Sequence, residues 1–388
     1  MDVFAFHLMP YVHLDLDYGR HHKSPWVTYP NANFDPVKGH ALYNRFLDEL
    51  EYAEAVGFDG LCINEHHQNA YGLMPSPVVM ASALARRTSR AKIAILGNAF
   101  NIRAHPLTLA EEHAMIDCIT GGRLISGMVR GIGMEYFSLG ANPTLSHERF
   151  HEAHDLVVRA WTEPGPFAFE GKHFHFEYVN VWPRPFQKPH PPIWIPSLGS
   201  SETIEWASHP SRKYVYVQTF SPYKSVLRFL NMYREAAERH GYTAAPRQIA
   251  WCSPVYVSDT DDKARAEAGV HAENFFNKFL KFTRELGMPP GYMTLNSMKT
   301  LMRHKSSLKD DHTIDSLIAD EVILCGSPDT VRRKLIQYHK DVDYGTLVLM
   351  PQFGTLPHDL TMRSLALLGR EVLPALKPLG AATAAAAE

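Results

Sequence analysis

The chain has 388 residues, 45% of them hydrophobic and 21% charged, with a formal net charge of −2. That balance is ordinary for a globular protein, and the length allows two average domains or one large α/β barrel with insertions. The charge, with no basic stripe carrying interleaved aromatics, argues against a nucleic-acid partner, and no apolar run approaches the ~20 residues of a membrane span.

The first residues, Met1-Asp2-Val3-Phe4-Ala5-Phe6-His7, hold no basic stretch and enter a strand at once. No signal peptide is therefore expected, and the location expected is cytoplasmic. Cys62, Cys118, Cys252 and Cys325 lie far apart in apolar settings. Without a CxxC or a disulfide framework they read as buried, reduced thiols.

Val3 to Met9 reads as a first strand, apolar throughout, as a strand covered on both faces is. Residues 10–39 form a long Tyr-, His- and Pro-rich connection without period, the kind of loop that serves as a lid or carries function. Leu42, Phe46, Leu50, Ala53 and Val56 then recur at helical spacing, and Gly57 is placed to close that helix. Leu61 to Ile63 is a short buried strand that stops abruptly at Glu65-His66-His67. A helix over Pro77 to Arg87 leads to a third strand, Lys92 to Ala99. A helix with Pro106 in its first turn, where proline is tolerated, runs to Asp117 and breaks at Gly121-Gly122-Arg123. The fourth strand is Leu124 to Val129, followed by Arg130-Gly131 and a helix from Glu148 to Trp161.

Phe167 to Phe176 alternates around Gly171-Lys172 as a small antiparallel hairpin. Strands follow at Pro192 to Pro196, Tyr214 to Gln218, Ile249 to Val257 and Gly345 to Met350, with helices between them and a last helix over Leu360 to Leu373. Residues 285–315 are polar and weakly periodic, a mobile excursion. Residues 1–378 read as one domain and 379–388 as a disordered Ala-rich tail. Eight strands alternating with helices point to a parallel sheet. Their number, without a GxGxxG after the first strand, favours a (β/α)8 TIM barrel with insertions over an open doubly wound sheet.

Four strand ends turn polar at once: Glu65-His66-His67, Asn98, Arg130-Gly131 and Gly199-Ser200-Ser201. A barrel brings such ends to one face, where they describe a pocket with proton-transfer and anion-binding groups. Gly199-Ser200-Ser201-Glu202-Thr203 opening a helix fits a phosphate held by free N–H groups and hydroxyls, or equally a plain N-cap. Arg130 would supply the countercharge. His147, His151 and His154 share one helical face and read as a solvated His-rich surface, not as a metal site, for which none is expected. Glu111-Glu112-His113 likewise reads as helix surface.

These stretches carry a resemblance. Glu54 to Gly60 through Glu65-His66-His67, His105 to Glu112, Asp117 through Gly121-Gly122-Arg123-Leu124 to Arg130-Gly131, Gly171-Lys172 through Pro183-Arg184-Pro185 to Ser200 and Ala207, and Gly326 to Val331 occur in order over nearly the whole chain. Together they resemble the bacterial luciferase-like superfamily of flavin-dependent monooxygenases. The resemblance implies a (β/α)8 barrel that binds reduced FMN (FMNH2) from a separate NAD(P)H:flavin reductase. O2 would form a flavin C4a-(hydro)peroxide that oxygenates a small, apolar organic substrate. It implies His66 as acid/base, with Glu65 orienting it or touching the flavin. It implies Gly97, Asn98, Val129, Arg130, Gly199, Ser200, Ser201 and Thr203 at the cofactor, and a non-prolyl cis peptide near Gly97-Asn98. Val129 stands where luciferase has a reactive cysteine. Tyr11, His22 and His67, with Tyr18 and Trp26, are candidates to line the substrate pocket. A homodimer through the early helices is the family expectation. The alternatives are deazaflavin (F420)-dependent hydride transfer on the same fold, or a non-catalytic luciferase-like subunit.

Overall fold

The computed structural model describes residues 1–294 and 311–380. Eight parallel strands close into a barrel: β1 (Asp2–Phe6), β2 (Gly60–Ile63), β3 (Lys92–Asn98), β4 (Leu124–Met128), β7 (Ile193–Ser197), β8 (Val215–Thr219), β9 (Ile249–Val257) and β11 (Thr346–Met350). Each pairs with the next, and β11 pairs with β1 to close the circle. They are buried almost throughout, because the barrel interior is packed and helices cover the outside. The hairpin inserted between β4 and β7 is β5 (Phe167–Glu170) against β6 (His175–Val179), antiparallel as expected.

One strand was not legible. Leu324–Gly326 (β10) pairs with Val255, Tyr256 and Val257, beyond the part of β9 that serves the barrel. Of the excursion expected at 285–315, residues 295–310 lie outside the described residues, and its flanks are helical at Arg284–Gly287 and Ile314–Ala319. Most of the expected tail, 381–388, also lies outside them.

The helices between strands are α1 (Pro36–Ala55), α2 (Pro77–Arg87), α3 (Pro106–Thr120), α4 (Gly133–Ser138), α5 (Ser146–Thr162), α6 (Ser201–Ala207), α7 (Tyr223–Arg239) and α8 (Asp261–Asn274). Helix α1 starts a turn and a half before Leu42, the first residue of its periodic apolar stripe, because Asp35 caps it by accepting from the Val37 and Lys38 N–H groups and Pro36 fits its first turn. Glu49 ties α1 to the end of β1. Its carboxylate accepts from His7 Nε2 (2.8 Å), Arg45 Nε (2.7 Å) and His358 Nδ1 (2.8 Å). Burial opposes its ionisation, but the hydrogen bonds from His358 and His7 outweigh it and hold the carboxyl down at about 2.

Close backbone approach shapes the third and fourth strands. A Cβ on Gly127 would lie 2.1 Å from the Ile95 carbonyl oxygen, so only glycine lets β3 and β4 meet there. Beside it the ladder shifts register between Ile95 and Asn98, with Gly97 at φ +124°. This kink takes the place of the cis peptide expected near Gly97-Asn98. The cis bonds among the described residues all precede proline, at Pro166, Pro183 and Pro189.

Candidate active site

The strand ends meet at the C-terminal mouth, where His67 and Asn98 both touch Glu65. Asn64-Glu65-His66 follows β2 directly, so the chain turns while still buried. Glu65 is the hub. One oxygen accepts from the Asn98 amide and the Ala99 N–H (2.7 Å); the other accepts from His67 Nε2 (2.6 Å) and Arg103 (3.1 Å). Burial resists ionisation of Glu65, but the His67 hydrogen bond, the Arg103 charge and the Ala99 N–H prevail and keep the carboxyl below its ordinary range.

The hub extends inward. Asn98 Oδ1 accepts from His113 Nε2 (3.1 Å), and His113 Nδ1 faces Ser126 Oγ (3.0 Å). His113 is therefore interior, not the helix surface expected, and burial pushes its pKa down to about 3. A neutral ring that donates at Nε2 accepts at Nδ1, so the Ser126 hydroxyl donates to it.

His66 stands apart from the Glu65 hub. Its Nδ1 lies 2.8 Å from Glu135 Oε1, and its ring meets Trp26 and Tyr71 edge-on at 5.0 Å. Trp26 stacks on Tyr71 at 4.1 Å, and Tyr71 continues to Phe275 at 6.1 Å. Trp26 comes from the long loop after β1, which lies across this group of residues. Three of its side chains bind backbone carbonyls of the segment after α8: Tyr18 Oη to Lys278 (2.7 Å), Trp26 Nε1 to Phe279 (2.7 Å) and Ser24 Oγ to Lys281 (2.8 Å).

Tyr11 and His22 do not reach this group. The Tyr11 hydroxyl accepts the Asp35 N–H (3.0 Å) and its ring packs on Phe34, while His22 packs on Tyr29. Both serve the internal packing of the loop, because residues 10–35 fold back on themselves.

Arg130 donates to Ser146 Oγ (2.9 Å) and the Tyr292 carbonyl (3.1 Å), and its guanidinium lies 4.4 Å over the Tyr292 ring. No carboxylate lies within ion-pair distance of it among the described residues. Two residues on, Thr294 Oγ1 binds Glu202, whose other oxygen accepts from Ser200 Oγ (3.0 Å) and Ser201 Oγ (3.1 Å). The segment Tyr292–Thr294 thus bridges Arg130 to the start of α6. Ser200 also accepts the Thr203 N–H, so it caps α6. Val129 packs beside Gly97, and its N–H donates to the Asn98 carbonyl (3.2 Å).

His147 faces the same region, and burial with the nearby Arg130 charge lowers its pKa to about 4. His151 stacks on Trp206 at 5.2 Å, and His154 is buried against Tyr214 Oη (2.7 Å). The face expected to be solvated is instead largely packed on Trp206 of α6 and on Tyr214, just before β8. Of the cysteines, Cys118 is exposed and the other three are buried.

A phosphate-bearing planar cofactor fits these residues. Among the described residues, Arg130 has no facing carboxylate, two serine hydroxyls stand at the start of α6, and Asn64 Oδ1 and Asn101 Oδ1 are buried acceptors without a partner. Sequence reasoning missed Glu135, Arg103 and Asn101, because each comes from a loop or short helix 29 or more residues from the group it meets.

A family model described as luciferase-like monooxygenase matches residues 24–344. The oxygenase component of a flavin-dependent trigonelline monooxygenase from Acinetobacter baylyi is 25% identical over 250 residues, covering 63% of this chain and 68% of that one. An F420-dependent glucose-6-phosphate dehydrogenase from Kineococcus radiotolerans is 28% identical over 230 residues, 57% of this chain and 66% of that one. The solved structure of the oxygenating constituent of 3,6-diketocamphane monooxygenase from Pseudomonas putida, in complex with FMN, superposes with a TM-score of 0.71 at 20% identity, covering 96% of this chain and 98% of that one.

Proposed function

The chain belongs to the luciferase-like monooxygenase family, and from that premise we propose that it is the oxygenase component of a two-component monooxygenase. It would take reduced FMN from a separate NAD(P)H:flavin reductase in the cytoplasm and place one oxygen atom of O2 on a small, apolar organic molecule. The observation that carries the reading is that one barrel mouth holds both a histidine, His66, whose Nε2 has no protein partner among the described residues, and an arginine, Arg130, with no carboxylate in ion-pair distance among them.

Reduced flavin, when bound, supplies the electrons that activate O2. The chain's own contributions are distinct. Arg130, Ser200 and Ser201 would hold the phosphate, with both hydroxyls now donating to Glu202. Asn64 and Asn101 offer acceptors to the polar ring edge. His66 holds or moves a proton at Nε2. Glu65 ionises to fix His67, Asn98 and Arg103, which makes it a framework group. Trp26, Tyr71 and Phe275 exclude water and present the apolar wall that suits an apolar substrate. Val79, Met115 and Ile119 are exposed on α2 and α3, which supports pairing of two copies through those helices.

Anaerobic titration with photoreduced FMN, followed by mixing with O2, tests the reading. Reduced FMN should bind, and its reoxidation should be slower than in free solution. Binding of reduced deazaflavin and not of reduced FMN would move the protein to the hydride-transfer branch, to which the Kineococcus relative's name belongs. Binding of neither would favour a non-catalytic subunit.

A further inference from the structure

Two carboxylate–histidine pairs stand side by side at the mouth, and they differ in what surrounds them. The Glu65–His67 pair is closed. Each Glu65 oxygen takes two donors, and Arg103 balances its charge. The Glu135–His66 pair is open on one side. Glu135 is buried on α4, and its second oxygen takes the Ile132 N–H at 2.8 Å. No arginine or lysine pairs with it among the described residues. His66 is clamped by Glu135 at Nδ1 and by the Trp26 and Tyr71 rings at its edges. Its Nε2 has no protein partner among the described residues.

From this asymmetry we propose that Glu135 is the positioning residue for His66, a role that rests on the function proposed above. An ionised carboxylate only accepts. It therefore places the imidazole proton on Nδ1 and leaves the Nε2 lone pair facing the reaction space. A proton taken at Nε2 makes an imidazolium whose charge Glu135 balances without moving, and the same Nε2 returns that proton. A carboxylate that fixes a histidine tautomer through Nδ1–H is a general device, and the isosteric amide disturbs it by offering a donor in place of an acceptor. Glu135 arrives on the short helix just after Arg130, so the loop that brings the cofactor's countercharge also brings the carboxylate that orients the proton carrier.

The 15N spectrum of histidine-labelled protein reads this directly. His66 is assigned by the signals lost in His66→Asn. At pH 8 the intact chain should show a protonated Nδ1 and an unprotonated Nε2 at His66. Glu135→Gln should shift most of the population to the opposite tautomer, while the dissociation constant for reduced FMN, followed by flavin fluorescence, changes less than about twofold. If the intact chain already carries its His66 proton on Nε2, the proposal is overturned, and no variant is needed to see it. An unchanged tautomer in Glu135→Gln also overturns it. Reduced FMN failing to bind the intact chain would count against the function proposed above, a result separate from the tautomer.

Discussion

Glu65→Gln isolates the hub of the mouth without leaving a cavity. The carboxylate accepts four hydrogen bonds, two at each oxygen. A glutamine has one accepting oxygen. Whichever way the amide turns, its NH2 faces two donors: either His67 and Arg103, or the Asn98 amide and the Ala99 N–H. Stranding buried donors against an amide NH2 costs about 1–3 kcal/mol each, about 3–5 kcal/mol in all. An unfolding entropy of about 2 cal/mol/K per residue gives roughly 0.8 kcal/mol/K for a chain of this length, so Tm should fall by about 4–6 °C. Thermal unfolding by calorimetry at pH 7.5 measures it. The sign with pH is fixed by the lowered pKa of Glu65. Its stabilisation is fully present above the unfolded carboxylate value and is lost as pH falls through the lower folded value. The gap between the intact chain and the variant should therefore narrow on acidification below about pH 4.5. A loss under about 1 kcal/mol, or a gap that widens in acid, would refute the hub assignment.

Glu49→Gln should act the same way at the other side of α1. Its carboxyl is held at about 2 against an ordinary 4.5, which at ~1.4 kcal/mol per unit is about 3 kcal/mol, present above pH 4.5 and lost toward pH 2; urea titrations at pH 7 and pH 3 should show the difference shrink, and a pH-independent difference would exclude the ionic account. Arg130→Ala should weaken reduced-FMN binding by about 2–4 kcal/mol, roughly 30- to 900-fold, if it faces a buried phosphate. Anaerobic fluorescence titration measures it, and unchanged affinity would place the phosphate elsewhere.

The barrel was legible because its signal is local. A strand buried on both faces must be a continuous apolar run, and Lys92 to Asn98 or Thr346 to Met350 announces itself in five to seven residues. Leu324–Gly326 was missed because three residues carry no period. At the site, the strand-end groups Glu65, His66, Asn98 and Arg130 were legible because a parallel barrel sends such ends to one face. Their partners were not. Glu135 meets His66 across 69 residues and Arg103 meets Glu65 across 38, and nothing in a stretch such as Gly133 to Ser138 marks one carboxylate as interior. His113 and His154 failed the other way. Their neighbours look like a charged helix surface, yet single polar partners, Asn98 and Tyr214, make burial tolerable for each ring.

The long loop after β1 is fastened by side chains on one side and by carbonyl oxygens on the other. Tyr18, Ser24 and Trp26 grip Lys278, Phe279 and Lys281 only through their main chain. Every amino acid carries that carbonyl, so the clasp itself asks nothing of the side chains at 278 and 281, whereas Phe279 is also held by its burial in the core. Exchanging Lys278 or Lys281 thus leaves all three bonds in place, whereas exchanging Tyr18, Ser24 or Trp26 removes one of the bonds that join the loop to this segment.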